Sequence, residues 1–284
     1  MKQYDFVAIG DIVVDAFIRL IQANIFTEEG VEQLCLVNGS KIPYESVTVV
    51  PAVGNSPNAA VTAARLGLST ALVTDLGRDE HGTLCTNTLT REGIETPFVH
   101  IHDNKQTNYH YVLWYRDERT ILIKHEEYPY IFPDIGTPRW IYLSSLGEHS
   151  LHYHEAIVAY LATHPEIKLA FQPGTFQIKL GREKLSAIYT ASEVFFCNTD
   201  EARIILGGSP TYKGTSGTES LSREPFLHSG QKLPSSLTAR AAHIAMIHAL
   251  TLCTLCLPIP TQSHHLNAPA QEMLLPQPLP PHSH

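Results

Sequence analysis

The segment VGNSPNAAVTAARLGLSTALVTDLGRDEHG, residues 53–82, restricts the fold of this chain more than any other part of the sequence. A glycine turn leads into a run of alanines and other small residues, which favours a helix. An apolar strand and a second glycine turn follow. A glycine turn directly before a helix lets the backbone approach a small polar molecule closely. The segment therefore predicts one unit of an α/β sheet together with a ligand-binding loop.

Strands and helices alternate through the first two-thirds of the chain. Apolar runs that predict strands occupy residues 5–10, 69–77, 139–147, 168–174 and 192–198, and runs that predict helices occupy residues 58–66, 79–92, 152–163 and 199–206. This alternation predicts a mostly parallel sheet with helices on both faces. Ligands of such sheets bind beyond the carboxyl ends of the strands. The turns at Gly10, Gly77, Gly147, Gly174 and Asn198 lie at these ends.

The composition changes sharply near residues 207–208. No aspartate follows Asp200 and no valine follows Val194, whereas ten of the 19 prolines lie after this point. A segment without valine and rich in proline is a poor source of central strands. We therefore expect a core of residues 1–207 and a poorly ordered tail of residues 208–284 that is rich in Pro, Ser and His.

Charge and hydropathy exclude several classes of protein. The net charge of −8 argues against nucleic-acid binding. No apolar run reaches about 18 residues, so we predict no membrane span. The N-terminal segment does not read as a secretory signal, because Asp11 and Asp15 interrupt its apolar run. The five cysteines are scattered and odd in number, as is typical of reduced thiols. We therefore expect a cytoplasmic protein.

Six motifs, in this order, resemble the PfkB family of sugar and nucleoside kinases, which has the ribokinase-like fold. They are GDIVVD (residues 10–15), VGNSPNAA (53–60), ARLG (64–67), DLGRDEHG (75–82), FQPGTFQ (171–177) and NTDEA (198–202). The resemblance extends over residues 1–207. It implies an α/β fold with a mostly parallel sheet, helices on both faces and a small β lid, incomplete at the C-terminus.

The resemblance implies a binding site for the phosphoryl acceptor, a sugar or a nucleoside. Asp15 would accept hydrogen bonds from sugar hydroxyls, and Gly54, Asn55 and Asn58 would complete the site from the glycine-rich loop. A carboxylate can accept two hydroxyl hydrogen bonds, and an Asn amide both donates and accepts. The structural alternatives are that Asp15 is an ordinary turn or helix-cap acid and that Asn55 or Ser56 caps the following helix.

The resemblance also implies that two pieces of chain, residues 17–52 and 97–126, form the lid over the sugar. Two β-rich runs joined by a turn predict a hairpin over residues 106–125 within the second piece. Homodimers that form through the lid occur in the family, so the lid is the expected interface of a homodimer. The alternative is a plain surface sheet.

The segment NTDE, residues 198–201, matches a family motif associated with Mg²⁺ and the phosphates of ATP. Mg²⁺ retains several waters, so one indirect carboxylate, that of Glu201, is sufficient and no direct metal ligand is expected. The alternative is a capping box in which Asn198 is the N-cap and Glu201 the third helical residue. Gln172 stands where the family commonly has aspartate or asparagine, which weakens a polar role for that strand end.

The resemblance implies a second half that this sequence lacks. In the family, the sequence GAGD begins a helix whose N–H groups bind the transferred phosphoryl group, and its aspartate is the general base. No such motif and no aspartate follows Asp200. We therefore expect no catalytic base, a nucleotide site that is largely missing, and an inactive chain. The alternative function is a sugar-binding module without catalysis, and a product that does not fold stably is a third reading.

A frameshift explains the tail. When the third base of each codon is read with the next two bases, the codons of residues 235–257 can encode ITDGPRGAYRYDPRTHALYSL, and those of residues 266–275 permit ERTGAGDAF. The D of YDP is the only possible residue at its position. The single Met codon of Met246 ends in G and every codon of the following isoleucine begins with AT, so the shifted triplet is GAT, which encodes aspartate. The alternatives are weaker, since a zinc site would rest on the single pair Cys253 and Cys256 with two adjacent histidines. The apolar run of residues 244–257 is too short to span a membrane. A further alternative is that PQPLPP, residues 276–281, is a polyproline ligand.

Overall fold

A computed structural model describes residues 2–208. The elements, in chain order, are β1 (Phe6–Ile9), β2 (Val13–Leu20), β3 (Asn24–Glu28), β4 (Val31–Cys35), β5 (Tyr44–Val53), α1 (Asn55–Arg65), β6 (Thr70–Gly77), α2 (Glu80–Arg91), β7 (Val99–His102), β8 (Asn108–Tyr115), β9 (Glu118–Leu122), β10 (Trp140–Leu143), α3 (Leu151–Thr163), β11 (Lys168–Phe171), α4 (Thr175–Leu180), α5 (Ser186–Ala191), β12 (Ser192–Phe195) and α6 (Thr199–Ile205). The expected tail lies outside the described residues apart from its first residue.

Six strands form the main sheet in the order β12, β11, β10, β1, β6, β7, and every pair in it is parallel. β1 lies in the middle of the sheet, between β10 and β6. All eight residues of β6 are buried, as a strand covered on both faces requires. The parallel α/β sheet predicted from the alternation of strands and helices is confirmed.

The two faces of the main sheet pack against different helices. Val7 and Ile9 of β1 belong to one hydrophobic cluster, with Ile157 of α3 and other residues of α3 and α5. Ala8 points to the opposite face, because successive side chains of a strand alternate, and it packs in a second cluster with Leu89 of α2 and with α1. Burial of apolar surface on both faces fixes the layered order of helix, sheet and helix.

A second sheet stands beside the main sheet, and we call it the lid sheet. Its strand order is β5, β2, β8, β9. β2 pairs in parallel with β8, and β8 and β9 form the antiparallel hairpin that was predicted over residues 106–125. β3 and β4 form a separate hairpin. Residues 99–102 of the expected second lid piece form β7 of the main sheet, and the extents of the lid pieces remain predictions.

Three local expectations were wrong. The helix α1 begins at Asn55 rather than at Asn58, with Gly54 as its N-cap and no side-chain cap. Asn55 and Ser56 therefore do not cap this helix, and the Ser56 hydroxyl instead donates to the carbonyl of Ile9, at 2.7 Å. Asp15 lies inside β2 and not in a turn, because the β-branched run after residue 12 favours a strand.

The helices of the described part are short, and α3, with 13 residues, is the longest of them. None within residues 2–208 is long and apolar enough to cross a bilayer. Cys35, Cys85 and Cys197 are free thiols.

Candidate functional site

The turns that follow β1 and β10 meet at the carboxyl edge of the main sheet. The backbone N–H of Asp11 donates to the carbonyl of Ser145 at 2.8 Å, which joins the two turns. The side-chain amide of Asn55, at the start of α1, donates to the hydroxyl of Ser145 at 3.2 Å. The loop before α1 is therefore fastened to the edge where ligands of parallel sheets bind.

Gly54 is the residue that lets this loop approach the turn after β1. Its φ of +123° lies in a region that side chains with a Cβ rarely adopt, and a Cβ there would lie 2.9 Å from the carbonyl oxygen of Asp11. The carbonyl of Gly54 accepts from the N–H of Asn58 at 3.0 Å, in the first turn of α1. Asn58 itself is half-buried. Gly54, Asn55 and Asn58, all predicted from the sequence, thus lie together in this loop and first turn.

Asp15 faces a histidine that the sequence reading missed. β2 and β8 place Asp15 opposite His110, so the two side chains project from the same face of the lid sheet. The Asp15 Oδ1 and His110 Nδ1 atoms are 3.4 Å apart, and the side chains are 19% and 12% exposed. Asp15 Oδ1 and His110 Nε2 are buried and have no hydrogen-bond partner within residues 2–208. Two buried polar atoms here thus make no hydrogen bond among the described residues.

A second carboxylate, that of Asp11, lies beside a second histidine. Its Oδ2 atom is 3.2 Å from Nδ1 of His125, and the Asp11 side chain is 6% exposed. The Tyr130 hydroxyl donates to the Asp11 carboxylate, at 3.0 and 3.1 Å, and accepts from the N–H of Gly147 at 2.9 Å. Burial and the charge of Asp11 raise the pKa of Tyr130, which therefore remains a donor. The φ of Tyr130 is +47°, which indicates backbone strain, and the hydrogen bonds of its hydroxyl hold this conformation in place.

The two carboxylate–histidine pairs adjoin each other. The rings of His110 and His125 have centroids 5.3 Å apart, and Phe176 of α4 presents its ring edge-on to His125 at 5.2 Å. We call Asp11, Asp15, His110 and His125 the Asp–His cluster. Within residues 2–208, both carboxylates of the cluster have histidines as their ion-pair partners. Three parts of the molecule thus converge here: the lid sheet, the segment after β9, and the turn after β1.

Asn198 and Glu201 lie away from this cluster, after β12 at the far edge of the main sheet. The Asn198 side chain accepts from the N–H of Glu201 at 2.8 Å, and the Glu201 carboxylate accepts from the N–H of Asn198 at 2.9 Å. The capping-box alternative is therefore confirmed. Burial raises the pKa of Glu201. One carboxylate oxygen remains outside the cap, which fits a water-mediated contact with Mg²⁺ and no more. Within the described part, no group of three or more His, Cys, Asp or Glu side chains is placed to hold a metal ion.

Gln172, the departure noted in FQPG, is directed at the neighbouring strand. Its side-chain oxygen accepts from the hydroxyl of Tyr142 in β10. The turn that follows is fixed by Gln177, whose amide donates to the carbonyl of Ser144 at 2.9 Å. The end of β11 is thus held by internal hydrogen bonds.

Comparisons with known proteins agree with this architecture. The chain matches the family model of the pfkB family carbohydrate kinases over residues 22–216. A nucleoside kinase of Methanocaldococcus jannaschii is 14% identical with a TM-score of 0.59, over 73% of this chain and 65% of that chain. A ribokinase of Cryptococcus neoformans in complex with ADP is 19% identical with a TM-score of 0.58, over 74% of this chain and 62% of that chain. A ribokinase of Arabidopsis thaliana complexed with ribose and ATP is 17% identical with a TM-score of 0.55, over 75% of this chain and 66% of that chain.

These similarities confirm the ribokinase-like fold predicted from the motifs. At such low identities they show the fold alone. The chain spans less than two-thirds of the length of each of the three structures. A sequence comparison with curated proteins finds no match.

Proposed function

The chain belongs to the pfkB family of carbohydrate kinases, and from this premise we propose that residues 2–208 hold the acceptor of an ATP-dependent kinase that phosphorylates a hydroxyl group of a sugar or a nucleoside. The observation that supports this most is the buried Oδ1 atom of Asp15, which lies 3.4 Å from His110 Nδ1 but makes no hydrogen bond within the described residues. Buried carboxylate oxygens nearly always have a partner, and a hydroxyl of the acceptor would supply it.

Each predicted residue has a distinct task in this proposal. Asp15 accepts hydrogen bonds from acceptor hydroxyls, and a bond to a carboxylate is stronger than one between neutral groups. Asn55 and Asn58 donate to and accept from further hydroxyls. Gly54 brings the loop against the turn after β1 without a side chain in the way. Fixing the acceptor in one orientation is itself a large part of the catalysis of group transfer.

We propose for Asn198 and Glu201 a role near the phosphates, through waters of Mg²⁺. When bound, ATP with Mg²⁺ supplies the γ-phosphoryl group. The free oxygen of Glu201 supports one water-mediated contact, and the cap holds the carboxylate at the start of α6. The expected remainder of the nucleotide site falls on residues that the structure does not describe.

We further propose that these 284 residues bind the acceptor without phosphorylating it, which is the sugar-binding module considered as the alternative. The sequence contains no GAGD motif and no aspartate after Asp200. Loss of a general base alone lowers the rate by about 10² to 10⁴. Loss of the groups that stabilise the transferred phosphoryl adds to this.

The frameshift is the proposed origin of that loss. The segment concerned lies outside the described residues, so the gene itself decides the question. Sequencing across codons 205–275 is expected to show codons whose shifted reading contains a GAGD-like string. Codons that cannot be read in this way would exclude the frameshift and leave the inactivity to be explained otherwise.

The function is tested by two assays on the full chain. Titration calorimetry with D-ribose, D-fructose and adenosine measures binding, and release of ADP from ATP with the same compounds measures transfer. We expect binding of at least one compound without turnover, and its loss in Asp15→Asn. Asp117→Asn, in the turn between β8 and β9, is the matched control and leaves binding unchanged. Turnover would contradict the inactivity, and failure of all three compounds to bind would contradict the acceptor site.

We also propose that the lid sheet forms a homodimer. Val47 and Val49 of β5, Tyr111 of β8 and Leu122 of β9 share one face of this sheet, according to the strand register. Each of these side chains is 45% to 51% exposed. An apolar face of this kind on a sheet is typical of a protein interface. The measurement that checks it is the mass of the chain in solution.

A further inference from the structure

We propose that His110 and His125 are specificity-determining residues of the acceptor site, and that the Asp–His cluster selects an uncharged acceptor with neighbouring hydroxyl groups over a phosphorylated or carboxylated one. This inference rests on the proposed function. It adds two side chains that none of the six sequence motifs contains, and it narrows the class of acceptor.

The first step concerns hydrogen bonding. Asp15 Oδ1, His110 Nε2 and His125 Nδ1 are buried and make no hydrogen bond within residues 2–208, although Asp15 Oδ1 lies 3.4 Å from His110 Nδ1 and His125 Nδ1 lies 3.2 Å from Asp11 Oδ2. Buried polar atoms without a hydrogen bond are uncommon in folded proteins, and His110 Nε2, which has no ion-pair contact within residues 2–208 either, indicates that a ligand completes the cluster. A carboxylate oxygen accepts a hydrogen bond, whereas a ring nitrogen can donate or accept. One hydroxyl that donates to Asp15 and a neighbouring hydroxyl that bonds to His110 would satisfy two of these atoms together.

The second step concerns rigidity. His110 is placed by the register of β8 with β2. His125 lies between the ring edge contact with Phe176 and the carboxylate of Asp11, and Asp11 is held by Tyr130. Side chains fixed from several elements discriminate between ligands better than mobile ones, because little entropy is lost when they bind.

The third step concerns charge. The cluster contains two carboxylates and two histidines, so it holds no excess of positive charge to balance an anionic acceptor. The lysines on the surrounding described segments have other contacts: Lys105 pairs with Glu126, Lys124 donates to Gln106, and Lys179 lies over the ring of Phe176. Within residues 2–208, the ion-pair partners of Asp11 and Asp15 are histidines, so a phosphate or carboxylate on the acceptor would meet these two carboxylates. Repulsion of this kind is how sites reject a competing ligand.

The experiment measures binding to the full chain by titration calorimetry. The uncharged probes are D-ribose, D-fructose and adenosine, and the anionic probes are D-ribose 5-phosphate and D-fructose 6-phosphate. For the uncharged probe that binds best, we expect His110→Phe and His125→Phe each to weaken binding by about tenfold, as for the loss of one hydrogen bond. We expect each phosphorylated probe to bind at least about tenfold more weakly than its uncharged counterpart.

Two further variants separate a contact with the acceptor from a structural role. The amide nitrogen of glutamine can replace Nε2 of His110, the atom without a partner, so His110→Gln should restore binding to within about threefold. The shorter His110→Asn, which replaces only Nδ1 next to Asp15, should not. His164→Phe is the matched control, because His164 stacks on Tyr160 at the end of α3, with centroids 4.2 Å apart, and stands outside the cluster. Circular dichroism on heating shows whether each variant is folded.

The outcomes distinguish the inference from the function on which it rests. If the wild-type chain binds a probe and His110→Phe binds it equally well, the inference is wrong and the proposed function stands. Equal recovery in His110→Asn and His110→Gln would also overturn it. Tighter binding of a phosphorylated probe would overturn the selection of an uncharged acceptor. If no probe binds to the wild-type chain, the proposed function fails first, and the inference with it.

Discussion

Replacing Tyr130 by phenylalanine removes one hydroxyl group that joins three parts of the molecule. That hydroxyl donates to the carboxylate of Asp11, after β1, and accepts from the N–H of Gly147, after β10. Tyr130 itself lies in the segment between β9 and β10 and is 3% exposed. Tyr130→Phe keeps the ring and its packing, so the change isolates the hydrogen bonds.

The expected cost follows from the two bonds. A hydrogen bond to a charged group contributes about 1.5–3 kcal/mol, and a buried N–H left without a partner costs about 1–3 kcal/mol. Water can reach neither group easily, because Asp11 is 6% exposed and Gly147 lies in the buried turn after β10. We therefore expect Tyr130→Phe to lower the free energy of unfolding by about 3 kcal/mol, which for a protein of this size lowers Tm by about 6–12 °C.

Urea denaturation followed by circular dichroism measures this difference in unfolding free energy. The wild type and the variant are compared with the same slope of free energy against urea concentration. Tyr44→Phe is the control, because Tyr44 is 54% exposed and its hydroxyl is expected to contribute nothing. A loss below about 1 kcal/mol in Tyr130→Phe would refute the reasoning, since it would mean that neither bond contributes even the value of an ordinary hydrogen bond.

Three other predictions follow from single residues. Gly54→Ala should lower the free energy of unfolding by about 1–3 kcal/mol in urea denaturation, because a residue with a Cβ is strained at φ +123° and its Cβ meets the Asp11 carbonyl. An unchanged midpoint would show that the loop adapts. Burial raises the pKa of the Cys85 thiol to about 12. Iodoacetamide at neutral pH should therefore label Cys35 and leave Cys85 unmodified, as measured by peptide mass spectrometry, and equal labelling of the two would contradict this. Val49→Glu should halve the mass seen by light scattering, because it places a charge in the apolar face of the lid sheet; a wild-type chain that is already monomeric would rule out the dimer.

The main sheet could be predicted because its elements depend on local pattern. The strand β6 is mostly apolar and flanked by glycine turns, and the structure buries all eight of its residues. Asn198 and Glu201 have the spacing of a capping box, which requires only four consecutive residues. The start of α1 was placed three residues too late, and the hydroxyl of Ser56, one of the expected caps, instead donates to the carbonyl of Ile9 in a distant strand. Such a tertiary bond leaves no local signal.

The Asp–His cluster could not be predicted, because it depends on pairings between distant segments. Asp15 and His110 are neighbours only through the register of β2 with β8, and a shift of one residue would turn His110 to the other face of the lid sheet. His125 and Tyr130 lie in a segment without regular structure, for which no periodicity exists to read. Asp11 was visible within GDIVVD, but only its contacts with Tyr130 and His125 distinguish it from an ordinary buried acid.

Binding of an acceptor and transfer of a phosphoryl group make different demands on this fold, and we propose that the described residues meet only the first. In this proposal, the hydrogen bonds that Asp15 accepts and those made by the loop at Gly54 would act on the acceptor before reaction as much as during it, and such bonds strengthen binding without raising the rate of the chemical step. Acceleration requires groups that act on the charge developing at the phosphoryl group and on the proton leaving the hydroxyl. The Asp–His cluster contains carboxylates, but each lies beside a histidine, and in this proposal they would contact the acceptor from the lid sheet and from the turn after β1. A chain that keeps this cluster and lacks the GAGD aspartate is therefore expected to bind its acceptor at equilibrium and return it unchanged.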